Sequence, residues 1–209
     1  MIRRASSSPG ADAPPLYGLL LAGGASRRMG LDKALLPHSG RPQLEATFEL
    51  LAPHVERCLV SLRQDQTTEP VRAKFPCVVD ELDDIGPAAG LLAAQRAFPE
   101  SAWLVVACDL PLLQEATLGR LVEARGGQRM AIAYRSPFDG LPEPLCALWE
   151  PQALEQLAAQ VQEGRHSLRH ALASVDAWLL PAPADGTLDN INTPEDRARL
   201  RKPGDTSAQ

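Results

Sequence analysis

Apolar positions in this chain follow two rhythms. Apolar-rich runs at Leu16 to Leu21, Glu56 to Leu62 with Cys58, Leu59, Val60 and Leu62, Val78-Val79 and Trp103 to Cys108 read as strands, and those that are apolar throughout suit a parallel sheet buried on both faces. Between them, apolar residues recur three and four apart. The stripes are Leu44, Phe48 and Leu51 after Pro42, then Leu91, Ala94 and Phe98 after Gly86-Pro87, then Leu118, Leu121 and Val122. Each stripe predicts a helix with one face on the sheet, and Pro42 suits a helix start because its missing N–H has no intrahelical partner there. Strands alternating with helices predict an α/β fold, a Rossmann-like, doubly wound, mostly parallel sheet in a single domain. Such a sheet binds ligands at the carboxyl ends of its strands, where Gly23, Gly24, Asp80 and Asp109 fall.

The second half departs from simple alternation. Strands are predicted at Met130 to Tyr134, Pro144 to Trp149 and Trp178 to Leu180. A helix from Pro151 to Glu163 would turn Leu154, Leu157, Ala158 and Val161 inward, and Ser167 would cap another carrying Leu168, Ala171, Leu172 and Val175. A last helix is expected from Thr193-Pro194, with Asp196 three residues after the cap. Residues 1–15, rich in Ser and Pro, predict a disordered tail; 16–201 form the domain and 202–209 a frayed end.

Composition narrows the partners. Of 209 residues, 44% are hydrophobic and 22% charged, an ordinary soluble balance, and the net charge of -5 argues against broad nucleic-acid binding. No apolar run nears the roughly 20 residues of a membrane helix, and residues 1–15 lack the apolar core of a signal peptide, so the expected location is cytoplasmic. Cys58, Cys77, Cys108 and Cys146 each lie in or beside an apolar run and form no C-x-x-C pair, which predicts four buried free thiols.

Chemistry concentrates after the first strand, in Leu21-Ala22-Gly23-Gly24-Ala25-Ser26-Arg27-Arg28-Met29-Gly30-Leu31-Asp32-Lys33. Glycines let backbone N–H groups approach a polyphosphate, while Arg27, Arg28 and Lys33 bring the positive charge it needs. The P-loop is excluded, because Leu31-Asp32 rather than Lys-Ser/Thr follows Gly30, and G-x-G-x-x-G has no match. Asp109 ends a fully apolar strand, as a magnesium ligand or as a turn residue before Leu110-Pro111. Asp80 is placed similarly, and Asn192-Thr193-Pro194 reads locally as a helix cap. His166 and His170 stand four apart with no visible third metal ligand.

These motifs, in this order, resemble the molybdenum cofactor guanylyltransferases among the sugar-nucleotide-type nucleotidyltransferases. The loop is similar to their L-x-G-G-x-x-x-R-M-G-x-x-K, Cys108-Asp109-Leu110-Pro111 to C-D-x-P, Asn190 to Pro194 to N-x-N-T-P, and Gly86-Pro87-Ala88-Ala89-Gly90 to G-P-L-A-G, with Ala88 where Leu is usual. The resemblance implies transfer of GMP from GTP to the phosphate of molybdopterin, or molybdenum cofactor, with release of pyrophosphate. It implies Lys33, Arg28 and Asp109 as catalytic residues. Leu21, Ala22, Gly23, Gly24, Arg28, Lys33, Asp80, Gly86, Pro87, Gly90 and Asp109 would bind the nucleotide, and Asp109 and Asn192 would hold magnesium (Mg2+). Arg165 would face the acceptor phosphate, and cofactor carrier or insertion proteins would be partners. Leu21-Ala22-Gly23-Gly24 matches the guanylyl branch rather than the L-A-A-G of the cytidylyl branch. Alternatives are a CTP-dependent cytidylyltransferase, a sugar-phosphate nucleotidyltransferase, or a nucleotide-binding protein that delivers cofactor without turnover.

Overall fold

Strand β1 (Leu16–Leu21) shows how the core is divided. Successive side chains leave a strand on opposite faces, so Leu19 enters one apolar cluster and Leu20 another, both fully buried. The computed structural model describes residues 13–22, 32–35, 37–38, 40–82, 84–126, 129–183 and 186–188, with Lys33, Pro37 and His38 described by backbone alone. The final helix expected from Thr193 lies outside the described residues.

After β1, a two-residue hairpin, β2 (Pro37–His38) and β3 (Arg41–Pro42), leads into α1 (Gln43–Leu51). Then come β4 (Arg57–Arg63), β5 (Cys77–Asp80), α2 (Pro87–Ala97), β6 (Ala102–Ala107) and α3 (Glu115–Glu123). The chain continues through β7 (Ala131–Arg135), β8 (Pro142–Trp149), α4 (Pro151–Gln162), α5 (Leu168–Ser174) and β9 (Trp178–Leu180). Ser167 caps α5 as its sequence implies, its Oγ accepting from His170 N at 3.2 Å.

The main sheet has seven strands in the order β5-β4-β1-β6-β8-β7-β9. Pairing is parallel from β5 through β6, while β8 runs against both β6 and β7, and β9 is parallel to β7. The reversal follows from the connection. Residues 136–141 are too few for the crossover of a dozen or more that a parallel return requires. Strand β6 sits at the centre with all six residues buried. Leu104 and Val106 face the cluster that holds α1 and α3, and Trp103 and Val105 face the cluster that holds α2, α4 and α5. Burying each such side chain stabilises the fold by about 1.5–3 kcal/mol, which explains the absence of polar residues along this strand.

One expectation shifts. Cys58, Cys108 and Cys146 are buried free thiols, but Cys77 is exposed, because it opens the outermost described strand on that side. Ordered contacts also begin before β1. Ala102 N donates to Pro15 O at 2.9 Å and Arg125 Nη2 to Pro14 O at 2.7 Å, so Pro14 and Pro15 join the sheet's ladder and its flank.

Candidate active site

The strand order reverses direction at β1. From β1 the chain moves outward to β4 and β5, then returns to the other side as β6. The carboxyl ends of β1 and β6 therefore border the crevice where an open α/β sheet binds its ligands. At that edge Cys108 N donates to Leu21 O at 3.1 Å, and Ala22 N donates to Ser61 O at 3.2 Å. Ala22, the last described residue before the glycines, is thus pinned between β4 and β6 and is buried. Gly23, Gly24, Arg28 and Asn192 lie outside the described residues, as do Arg27 and Asn190. Lys33 opens a short 3-10 turn, Lys33–Leu35, which the preceding Asp32 caps: Ala34 N donates to Asp32 Oδ1 at 3.1 Å and Leu35 N to Asp32 O at 3.1 Å.

Asp109 stands in the turn directly after β6, two residues beyond Ala107, with its Oδ1 buried. Asp80 ends β5 in register with Arg63 of β4. Three strand spacings separate β5 from β6, about 14 Å of sheet width, so the two strand ends lie too far apart for both aspartates to hold one ion. Charges between them link the two positions. Arg63 is held above its ordinary range first by its hydrogen bond to Asp65 and then by the charges of Asp65, Asp80 and Asp32. The Cys108 thiol is pushed up to about 12 by burial, with the charges of Asp109 and Asp32 adding to the rise and that of Arg72 opposing it. Asp32 therefore acts on both the Asp80–Arg63 pair and the Cys108–Asp109 turn.

Helix α2 brings the remaining predicted elements to this edge. Gly86 precedes it at φ +62°, a left-handed conformation that glycine adopts without strain, and Pro87 takes its first position. The first turn carries no acidic residue, which leaves the positive end of the helix dipole uncancelled. Gly90 is buried, and a Cβ there would lie 2.3 Å from Ser61 Oγ and 3.0 Å from Leu21 Cδ2. Its small size is thus demanded by the seating of α2 on β1 and β4. Gly90 acts on the site by letting the helix start sit close to Leu21.

The residues that local reading assigned no role are Asp32, Arg63 and Arg72. Arg72 is 1% exposed and donates from Nη2 to Ala22 O at 3.4 Å and to Asp32 Oδ1 at 2.9 Å. One signal was present in the chain: Asp32 is the single acid among residues 22–33, and an acid inside a segment that reads as anion-binding calls for a counter-charge. Other candidates fall elsewhere. His166 and His170 are exposed, and Arg165 pairs with Glu163 two residues before it. Among the described residues no group of three or more His, Cys, Asp or Glu side chains converges to hold a metal. Asp109 offers a hard carboxylate oxygen at the crevice, and magnesium bound through one or two carboxylates plus substrate phosphates fits such a donor set. No described helix is long and apolar enough to cross a membrane.

The chain matches the MobA-like NTP transferase domain over residues 18–178. It is 32% identical over 189 residues to a molybdenum cofactor guanylyltransferase from Pseudomonas paraeruginosa, covering 90% of this chain and 95% of that one. It is 32% identical over 200 residues to a molybdenum cofactor biosynthesis bifunctional protein from Synechocystis sp.; 96% of this chain aligns, yet it spans only 58% of that protein's length. Among solved structures, the molybdopterin-guanine dinucleotide biosynthesis protein A from Archaeoglobus fulgidus superposes with a TM-score of 0.71 at 24% identity, over 88% of this chain and 95% of that one, a likeness of fold. With a matched region that takes in β1, the crevice and every strand from β4 to β8, this chain belongs to the MobA-like NTP transferase family.

Proposed function

We propose that this chain is a GTP:molybdenum cofactor guanylyltransferase of the cytoplasm. An oxygen of the molybdopterin phosphate would attack the α-phosphorus of GTP. A new P–O bond forms as the bond to the bridging oxygen breaks, and that electron pair leaves with pyrophosphate. The observation that carries the reading is the meeting of two strand ends at the reversal of the sheet. Ala22, which leads into the glycine segment, and Asp109 leave adjacent strands at the same edge.

The roles follow from charge and position. Leu21 and Ala22 set the origin of the segment in which Gly23 and Gly24 would turn N–H groups toward the phosphates. Arg28 would hold the departing pyrophosphate, and Lys33 the charge that builds on the phosphates as the bond breaks. Asp80, about 14 Å away across the sheet, would take the nucleoside end, beside Gly86, Pro87 and the helix seated by Gly90. Asp109 and Asn192 would hold magnesium, which when bound neutralises phosphate charge. Cofactor carrier or insertion proteins would supply or receive the pterin.

The test is pyrophosphate release by the purified chain with molybdopterin, magnesium and each of GTP, CTP, ATP and UTP. Release with GTP alone, cut at least a hundredfold by Asp109→Ala, is expected. Release with CTP in preference to GTP would make the chain a cytidylyltransferase, and release that survives Asp109→Ala undiminished would remove the proposed metal site.

A further inference from the structure

A buried arginine far from the glycines in sequence holds both ends of the segment that contains them. Residue 72 is 50 positions from Ala22 and 40 from Asp32. Its Nη2 lies 3.4 Å from Ala22 O, the last described carbonyl before the glycines, and 2.9 and 2.8 Å from the two carboxylate oxygens of Asp32, the first described side chain after them. Arg72 is itself anchored. Glu69 accepts from Val71 N and Arg72 N, each at 3.0 Å, and its Oε2 is 3.6 Å from Arg72 Nη1. The guanidinium's two branches divide the work: Nη2 meets Ala22 O and both Asp32 oxygens while Nη1 faces the Glu69 anchor, and an ammonium, a single point, cannot hold segment and anchor at once.

We propose that Arg72 is the positioning residue of the phosphate-binding segment: it fixes the distance between the segment's two ends and neutralises Asp32, which would otherwise repel the triphosphate. The inference rests on the guanylyltransferase reading of that segment. Two physical consequences follow. Asp32 caps the turn on which Lys33 begins, so the pull of Arg72 on Asp32 is transmitted to the start of the lysine. Arg72 is the buried partner of both Asp32 oxygens, so removing it would leave an uncompensated negative charge at the end of the segment proposed to hold the phosphates.

The experiment compares wild type, Arg72→Lys, Arg72→Met, Asp32→Asn and the double variant Arg72→Met/Asp32→Asn. Magnesium–GTP affinity is measured by calorimetry, the separate KM values for GTP and molybdopterin by pyrophosphate release, and folding by thermal midpoint. Arg72→Lys is expected to fold and to raise the GTP Kd and KM at least tenfold while leaving the molybdopterin KM within twofold. Adding Asp32→Asn to Arg72→Met is expected to recover at least threefold of the lost GTP affinity. Should Arg72→Met fail to fold, Arg72→Lys carries the decision through its split between the two KM values. Wild-type-like GTP binding in Arg72→Lys, or equal losses for both substrates, overturns the proposal and leaves the guanylyltransferase reading intact. Wild-type protein that binds no triphosphate overturns both.

Discussion

The two halves of the sheet meet at the same edge but present different surfaces there. On the β5-β4-β1-β6 side, the strand ends and their loops carry Asp80, Arg63, Asp32, Arg72 and Asp109, with Arg63 raised in part by the charges of Asp80 and Asp32. On the β8-β7-β9 side, the hairpin tip between β7 and β8 exposes Phe138 and Leu141, with Arg169 tying Asp139 at 2.7 Å and approaching Glu143 at 3.5 Å. The difference follows from connectivity. Parallel strands each end at the ligand edge and release a loop there, so charge accumulates; an antiparallel hairpin returns at once and contributes one compact tip. Substitutions on the charged side that do not disturb packing should act on turnover and leave stability nearly unchanged, and substitutions in the core of the other side should do the reverse.

The largest effect tests the second half of that statement. Trp149, fully buried at the end of β8, should cost about 3–5 kcal/mol of stability when replaced by Ala. Chemical denaturation reads the loss, and the turnover of the remaining folded fraction should be close to normal. Gly90→Ala sharpens the boundary between seating and chemistry. Its Cβ must push Ser61 or Leu21 aside, at roughly 1–3 kcal/mol, and because the displaced helix starts at the site, GTP affinity should fall together with the thermal midpoint. Lys33→Ala isolates chemistry: turnover should drop more than tenfold, a loss of more than about 1.4 kcal/mol of transition-state stabilisation, with an unchanged midpoint. Full turnover in that variant would take Lys33 out of the mechanism.

A smaller effect per group separates the buried thiols from the exposed one. Burial pushes the thiols of Cys58, Cys108 and Cys146 up to about 12 from an ordinary value of 9.0. Above pH 9 the unfolded chain loses these protons while the folded chain keeps them, so the unfolded state binds fewer protons and stability falls as pH rises toward 12. Each thiol contributes at most about 1.4 kcal/mol per pH unit in that window. The midpoint measured from pH 8 to pH 11 should decline, and at pH 8 a thiol reagent should label Cys77 alone in the native protein. Rapid labelling of a second cysteine without denaturant would contradict the burial of the other three.

The elements of the charged side were legible in the chain because their signals are local. An unbroken apolar run ending in Asp109, the Gly86-Pro87 helix start and the Ser167 cap each state their structure within a few residues. Asp109 could be picked out because a carboxylate after six buried positions has little to gain from packing. Arg72 carried no such sign: it sits in a short 3-10 turn between strands, among residues that read as a loop. Gly90 was picked out for proximity to the nucleotide, whereas its size is required by Ser61, which belongs to a different strand.

By itself the sequence determined the alternating α/β plan, the Leu21-Ala22-Gly23-Gly24 lead into a glycine-rich basic segment and the carboxylates at strand ends, since periodicity and turn chemistry act over a turn of helix or a few residues of strand. Tertiary structure alone decided the reversal at β8, the exposure of Cys77 on the outermost described strand and the hold of Arg72 on Ala22 and Asp32. Those features depend on which strands become neighbours. A guanidinium 50 residues downstream can close on a carbonyl only after the sheet has brought the two within hydrogen-bonding distance.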